Sequence, residues 1–534
     1  METFLFILGV IVILVGVANR IGLAWPIALV LGGMAIGYIP HAPTFTLPPD
    51  LVLVVFLPPL LYWESVTAPT SEFVSGAWWI FQLAVGLVII TTVAVAAVVH
   101  ALVPALGWPA SFVLGAIVSS TDEVAFAPIV ERLRIPRHVV ATIEGESLVN
   151  DATSLVLYAI AVTAVVSGTF SWSHALGSLA VGIIGGIGVG IVIAALTVGS
   201  WYFIRDDSLQ PIITVMAAFG SYLLASRIGA SGVLAVVTTA LIATRYSALV
   251  FKPLSRIRGT AFLATFSFLA NAVIFVLVGM QFHPITESLS RYPVSSLVWY
   301  GVAVSLTVII VRFLWTFAQG LLPFTNEPEH AEGKADWSHV GVLAWSGMRG
   351  GVSLAAALAI PFESASGPFP GRNLIIYLTF CVLLATLVGQ AGTLPLLIRW
   401  LHVSDDGTDE REERLALART AKAALKQIEK LRRTNEIPAP MLDALRKRFG
   451  TRWQEFAAMD SQAKEVARHT SLYRKLELDL LNAQRVELIA LRDGGKIDNT
   501  VMRRIQLLLD LETIELEILG STGHTDADVT AAPE

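Results

Sequence analysis

Six ionisable side chains stand in stretches otherwise too apolar to carry them. They are Asp122 and Glu123 in SSTDEVAFAP, Glu146 and Asp151 in IEGESLVNDATSLVLY, Arg312 in LTVIIVRFLW and Arg349 in WSGMRGGVSLA. Charges at membrane depth are costly, pair with one another and mark ion or proton pathways. Neutral polar residues are the usual glue between helices in lipid, so a purely structural role is the weaker reading. The chemistry open to such groups is exchange. A carboxylate shielded from water takes a proton or a cation, and two ligands competing for one carboxylate couple their movements. If the loaded site crosses the membrane and the empty one does not, antiport follows, because an unpaired charge does not cross lipid cheaply.

Position along the elements supports this reading. In a helix starting near Arg137, Asp151 is about 14 residues in, roughly 20 Å along the axis and close to the midplane. Four-residue spacing puts Ser147 under Asp151 and Glu146 under Asn150, two adjacent polar stripes on one helix. Ser147 and Asn150 offer neutral oxygens to a cation or hydrogen bonds to a carboxylate. Glu144 lies nearer the cytoplasmic end and takes no role. The run from Ser119 to Glu123 places five polar residues in succession, and Pro128 removes a donor and frees the carbonyl of Val124. A broken helix is expected, tolerated at this depth only where it is buried in protein or lines a cavity, with loosened carbonyls suited to a cation. Gly347, Gly350 and Gly351 around Arg349 predict a matching break.

These groups need a membrane-embedded scaffold, and the composition supplies one. Of 534 residues, 54% are hydrophobic and 15% charged, against about 25% charged in soluble domains. That excludes a cytosolic enzyme. Residues 1–400 hold 34 of the 79 Asp, Glu, Lys and Arg, and residues 401–534 hold 45, so an oily body carries a charged tail. A span needs about 20 apolar residues. Thirteen candidates fit, among them 50–66, 109–133 (fifth), 138–167 (sixth), 174–203 (seventh), 295–320 (eleventh), 337–361 (twelfth) and 374–400. Spans five and twelve are each fifth in a set of six if the seventh, rich in glycine, is a linker. Paired interrupted helices in equivalent positions of two inverted six-helix repeats point to a transporter site; close helix packing is the competing reading of those glycines.

With the N-terminus outside, the cytoplasmic loops hold Arg20, Arg132, Arg134, Arg137, Arg205, Arg245, Lys252, Arg256, Arg258 and Lys334. The outer loops then hold Arg227, Arg291 and Arg372. Ten against three predicts N-out and a cytoplasmic C-terminal tail. The opening METFLFILGVIVILVG has no basic n-region or cleavage site and reads as a retained first span. Apolar residues recur at helical spacing over 413–432 and 475–519, with Pro438 and Pro440 between. The tail is thus expected to be a soluble helical domain, for dimerisation or autoinhibition, ending in a disordered polar segment from Ser521. No GxGxxG or GxxxxGK[ST] pattern supports a nucleotide there. The net charge of −5 and the lack of a long basic stretch exclude nucleic acid as a partner, and the single Cys381 excludes a disulfide framework.

The stretches TDEVA, EGESLVNDATSLVLY and GMRGGVSLAAAL, in this order over residues 1–400, resemble the monovalent cation/proton antiporter family of the NhaP and NHE type. The resemblance implies an all-α polytopic membrane transporter rather than an enzyme. It also implies antiparallel broken helices crossing at midplane, a homodimer in the cell membrane, and an elevator-like shift. Carried over by residue, Asp151 binds cation and proton alternately with Asn150 beside it, and Thr121 and Asp122 form the span-five crossover. Asp151, Ser147 and Thr121 are then ligands of Na+, Glu146 is bridged to Arg312, and Arg349 lies at the span-twelve crossover. The partners are membrane lipid, monovalent cations and protons, with no cofactor. Ser120 and Glu123 depart from the family, which often has proline beside the Thr-Asp pair.

Charge arithmetic sets the expected stoichiometry. If Glu146 cancels Arg312 and Asp122 cancels Arg349, Asp151 leaves one negative charge, matched by one H+ or one Na+ or Li+. Exchange is then electroneutral. The same fold with K+ as its ion is the principal alternative. An ion channel lacks its selectivity loop here, and an intramembrane aspartyl protease with Asp122 and Asp151 as a dyad lacks a GxGD sequence and gives Arg312 and Arg349 no place.

Overall fold

A computed structural model describes residues 2–40, 49–68, 77–124, 126, 133, 135–168, 172–204, 206, 208–321, 337–364, 367–403, 407–434, 437–457, 460–493, 496 and 498–521. Pro128, Arg132, Arg134, Arg205, Lys334 and the segment after Ser521 lie outside the described residues. The chain divides into two compact units, Met1–Ser404 and Asp405–Glu534.

The first unit is built of helices. Seven of them, among the described residues, are long and apolar enough to cross a membrane, and five further apolar helices run to 10–17 residues. In chain order the helices are α1 (Glu2–Ile21), α2 (Trp25–Gly37), α3 (Pro49–Thr67), α4 (Ala77–Leu102), α5 (Gly107–Ser119) and α6 (Arg137–Ser167). Then come α7 (Trp172–Phe203), α8 (Leu209–Arg227), α9 (Gly232–Val250), α10 (Pro253–Ser288) and α11 (Val294–Leu321). Two short helices, α12 (Trp337–Trp345) and α13 (Gly351–Leu358), precede α14 (Arg372–Trp400). The molecule is an all-α, multi-span membrane protein.

Local chemistry sets the ends of these elements. Proline in the first turn opens α2 and α10, where a missing N–H costs nothing. Ser231 caps α9 by accepting from the Leu234 amide, and Gly168, at φ +68°, ends α6 in a left-handed turn. Three of the glycines of α7 serve packing: a Cβ at Gly185, Gly186 or Gly190 would press on Ala230, Ser231 or Thr238 of the α9 region, while one at Gly177, Gly182, Gly188 or Gly199 meets nothing within 4 Å. These two helices approach backbone to backbone there. A continuous apolar core runs from Ile7 to Ile398. It holds α5, α6 and α13 in place, and every charged group singled out above lies against it or beside it.

The second unit has four helices, α15 (Thr408–Thr434), α16 (Ala439–Ala457), α17 (Asp460–Asp493) and α18 (Asn499–Ser521). Its Leu481, Leu488 and Leu509 form a small core with Met502 and Leu516. Pro440 sits in the first turn of α16, so the prolines begin a helix as well as separating two. The periodic run 475–519 is a helical hairpin rather than one helix.

Candidate functional site

Two interruptions meet. Helix α5 stops at Ser119 and the chain turns extended at Ser120, while α12 stops at Trp345 and the chain resumes helix at Gly351. Each break presents the unpaired backbone groups of a helix end, and a charged side chain from the opposite segment satisfies them. Asp122 accepts from the Gly351 amide at 2.8 Å and the Val124 amide at 2.7 Å, an anion at the N-terminus of α13 where the helix dipole favours it. Arg349 donates to the last carbonyls of α5, Val118 at 2.9 Å and Ser119 at 3.5 Å, and to that of Gly347. The backbones join through the Asp122 amide and the Met348 carbonyl at 2.9 Å, and Ser120 and Ser353 share a hydrogen bond at 3.1 Å. The expected cancellation of Asp122 by Arg349 therefore takes an indirect form, in which each charge compensates a helix end.

Glycine is required at this crossing. A Cβ on Gly350 would overlap the Asp122 carboxylate, and one on Gly347 would overlap the Arg312 side chain.

Helix α6 supplies the other half. Glu146 forms a two-pronged pair with Arg312 of α11, at 2.5 Å from Nη1 and 2.9 Å from Nη2, each side chain about 1% exposed. Arg312 also donates to the Leu343 carbonyl of α12 at 2.9 and 3.2 Å. The chain of bonds then runs to midplane. Thr121 Oγ1 donates to Glu146 at 3.1 Å, Asn150 Nδ2 donates to Thr121 Oγ1 at 2.5 Å, and Ser147 Oγ donates to the Thr121 carbonyl at 3.0 Å. Ser120 lies beside the Asp151 carboxyl. After this accounting two acceptors remain without a hydrogen-bond partner, Asp151 Oδ1 and Asn150 Oδ1, in residues 2% and 0% exposed. Buried polar atoms are nearly always satisfied, and exceptions call for water, an ion or a function. Two orphaned oxygens on adjacent residues, one of them a carboxylate, offer a site to a small cation or a proton.

The structure thus brings Thr121, Asp122, Glu146, Ser147, Asn150, Asp151, Arg312 and Arg349 into one buried network. Glu123, which the sequence could not place, is half-buried and faces the charges of Glu64, Glu144, Asp122 and Asp151. Glu64 was missed. It is a buried acid of α3 whose charge acts on both Asp151 and Asp122. It meets the criterion that selected the other six, an ionisable group in an apolar stretch, but a span limit set at residue 66 assigned it to an interface. Ser120, Ser353 and Thr386, which accepts from the Arg349 amide at 3.1 Å, carried no signal beyond their polarity.

Comparison with known proteins gives the family and the fold. The family model for the transmembrane sodium/hydrogen exchanger matches residues 7–400. An uncharacterized Na(+)/H(+) exchanger of Mycobacterium bovis is 34% identical, over 92% of this chain and 91% of that protein. A sodium, potassium, lithium and rubidium/H(+) antiporter of Bacillus pumilus is 32% identical, over 74% of this chain and 61% of its own length. Among solved structures, the sodium proton antiporter MjNhaP1 of Methanocaldococcus jannaschii at pH 8 has the same fold. Its TM-score is 0.59 at 20% identity, covering 75% of this chain and 99% of that one. The extent of the family match and the identity to the mycobacterial relative establish that this chain belongs to the sodium/hydrogen exchanger family.

Proposed function

We propose that the protein is a secondary active antiporter that exchanges Na+ or Li+ for H+, one for one, with both ligands competing for Asp151. The observation that carries this is the pair of orphaned oxygens, Asp151 Oδ1 and Asn150 Oδ1, in a network whose other polar groups are spoken for. Asn150 presents its carbonyl oxygen because its amide nitrogen is held by Thr121, and Thr121 is held in turn by the Glu146–Arg312 pair. In this reading Asp151 and Asn150 are the first cation ligands. Ser147 and Thr121 hold the unwound segment and lend oxygens as the ion settles. Where Glu64 and Glu123 are ionised, they add negative potential that draws cations toward the site. The protein works in the cell membrane as a homodimer, N-terminus outside and tail cytoplasmic.

A second reading, K+/H+ exchange by the same site, gains support from the Bacillus pumilus relative, whose name spans four alkali cations. Inside-out vesicles with an acid interior separate the two. Collapse of the pH gradient on adding Na+ or Li+, abolished in Asp151→Asn, is the expected result. Collapse of similar size with K+ would assign the broader range, and no cation response from inserted wild-type protein would overturn exchange altogether.

A further inference from the structure

A cavity lies beside the ion network, along the helix that carries Asp151. It encloses about 660 Å3 between the half of α6 beyond Asp151, the start of α7, α8 and the turn into α9. That volume is in the range of small-molecule pockets, ~300–1,000 Å3. Its chemistry changes along its length. The part nearest the midplane is walled by Leu155, Val156 and Ile160, the first of these one turn from Asp151. The other end, about 18 Å further along α6 at ~1.5 Å per residue, is lined by Ser167, Ser178 and Ser231. None of the described lining residues carries a formal charge.

We propose that this cavity binds an acyl chain of a membrane phospholipid. The lining is apolar at Leu155, Val156 and Ile160 and gains hydroxyls and turn backbone toward the three serines, with Tyr158, Thr163 and Tyr222 adding polar groups between. That arrangement suits a lipid with its tail at depth and its headgroup at the end of the spans. A cation or an ionised substrate finds no counter-charge there. The surroundings supply the occupant: α7 exposes Ile184 at 73% and Ile191 at 50%, the apolar outer face of a helix that meets lipid. A seated chain replaces van der Waals contacts that an apolar void forfeits. It also stands directly beside the helix that carries Asp151, so lipid occupancy restrains α6 against α7 and α9.

Photo-crosslinking tests this without reference to transport. Full-length protein in nanodiscs of phosphatidylethanolamine and phosphatidylglycerol bearing a diazirine in the acyl chain is irradiated, and adducts are mapped by mass spectrometry. Adducts on 155–167 and 229–233 are expected, alongside those on Ile184 and Ile191. The variant Gly182→Trp, whose Cβ meets nothing within 4 Å, fills the space and should lose the cavity adducts while keeping the α7 ones. Ala159→Phe fills it from α6 and should give the same loss, which keeps the test decisive if either variant fails to fold. Wild-type adducts confined to Ile184 and Ile191, or cavity adducts unchanged in a folded variant, would overturn the proposal.

Discussion

At the scale of single residues, the Glu146–Arg312 pair is held by more than its own attraction. Both side chains are about 1% exposed, and Leu343 and Thr121 satisfy the remaining valences. Removing one partner leaves the other charge buried and uncompensated, a change that costs about 3–5 kcal/mol. Arg312→Ala should therefore lower thermal stability sharply in detergent, more than any single change on the lipid-facing side of α7; an unchanged melting curve would show that the pair is dispensable. Glu64 acts on Asp151 through space, so its effect should appear in affinity. Glu64→Gln keeps the shape of the side chain and removes its capacity for charge, so if Glu64 is ionised beside the bound cation the apparent KM for the cation should rise about tenfold, equivalent to ~1.4 kcal/mol. Equal KM values in the two proteins would put Glu64 outside the ion's field. Asp151, Glu146 and Arg312 were legible as charges in apolar sequence, Asn150 by its helical spacing from Glu146, and the Glu146–Arg312 pairing through the family resemblance. Glu64 was not, because it is three residues from the end of its helix and a hydropathy boundary cannot tell a buried helix end from an interface.

At the scale of elements, the two interruptions depend on glycine for contact rather than for flexibility. Gly350 has a negative φ, −143° with ψ −146°, so no left-handed turn demands glycine there, but a Cβ would occupy the space of the Asp122 carboxylate. Gly350→Ala should thus unseat Asp122 from the N-terminus of α13 and reduce exchange at least about tenfold, the effect of losing one charge-assisted bond of ~1.5–3 kcal/mol. The assay is the same vesicle measurement, with insertion confirmed. Full activity would mean that the crossing relaxes at little cost. Sequence alone predicted that both helices break, since five successive polar residues in one span and a glycine cluster in the other have no other reading. It did not predict how the breaks are sealed. Asp122 and Arg349 look like an ion pair in a list of charges, whereas in space each serves a helix end. The π-helical turns at Gln82–Leu87 of α4 and Ala385–Ala391 of α14 were equally hidden. They shift helical register by packing against neighbours, and no residue type specifies them.

At the scale of the whole molecule, the question is what charge crosses the membrane in each half-cycle. The two arginines are matched by the pairing of Glu146 and by Asp122 on its helix end, which in the proposed mechanism leaves Asp151 as the group that changes partner. One-for-one exchange then requires that Glu64 and Glu123 keep the same protonation throughout, whatever that protonation is, because only changes in charge are sensed by the membrane potential. The potential acts on each displaced elementary charge with about 2.3 kcal/mol per 100 mV. In proteoliposomes with equal ion gradients, the wild type should run at the same rate with and without a valinomycin-set potential. Asn150→Asp adds a second carboxylate at midplane. If the extra group binds a proton in one half-cycle and releases it in the other, that variant should become potential-dependent and show current on a supported membrane. Current in the wild type would mean that Glu64 or Glu123 titrates during the cycle, and the arithmetic would then have to count three acids at the site instead of one.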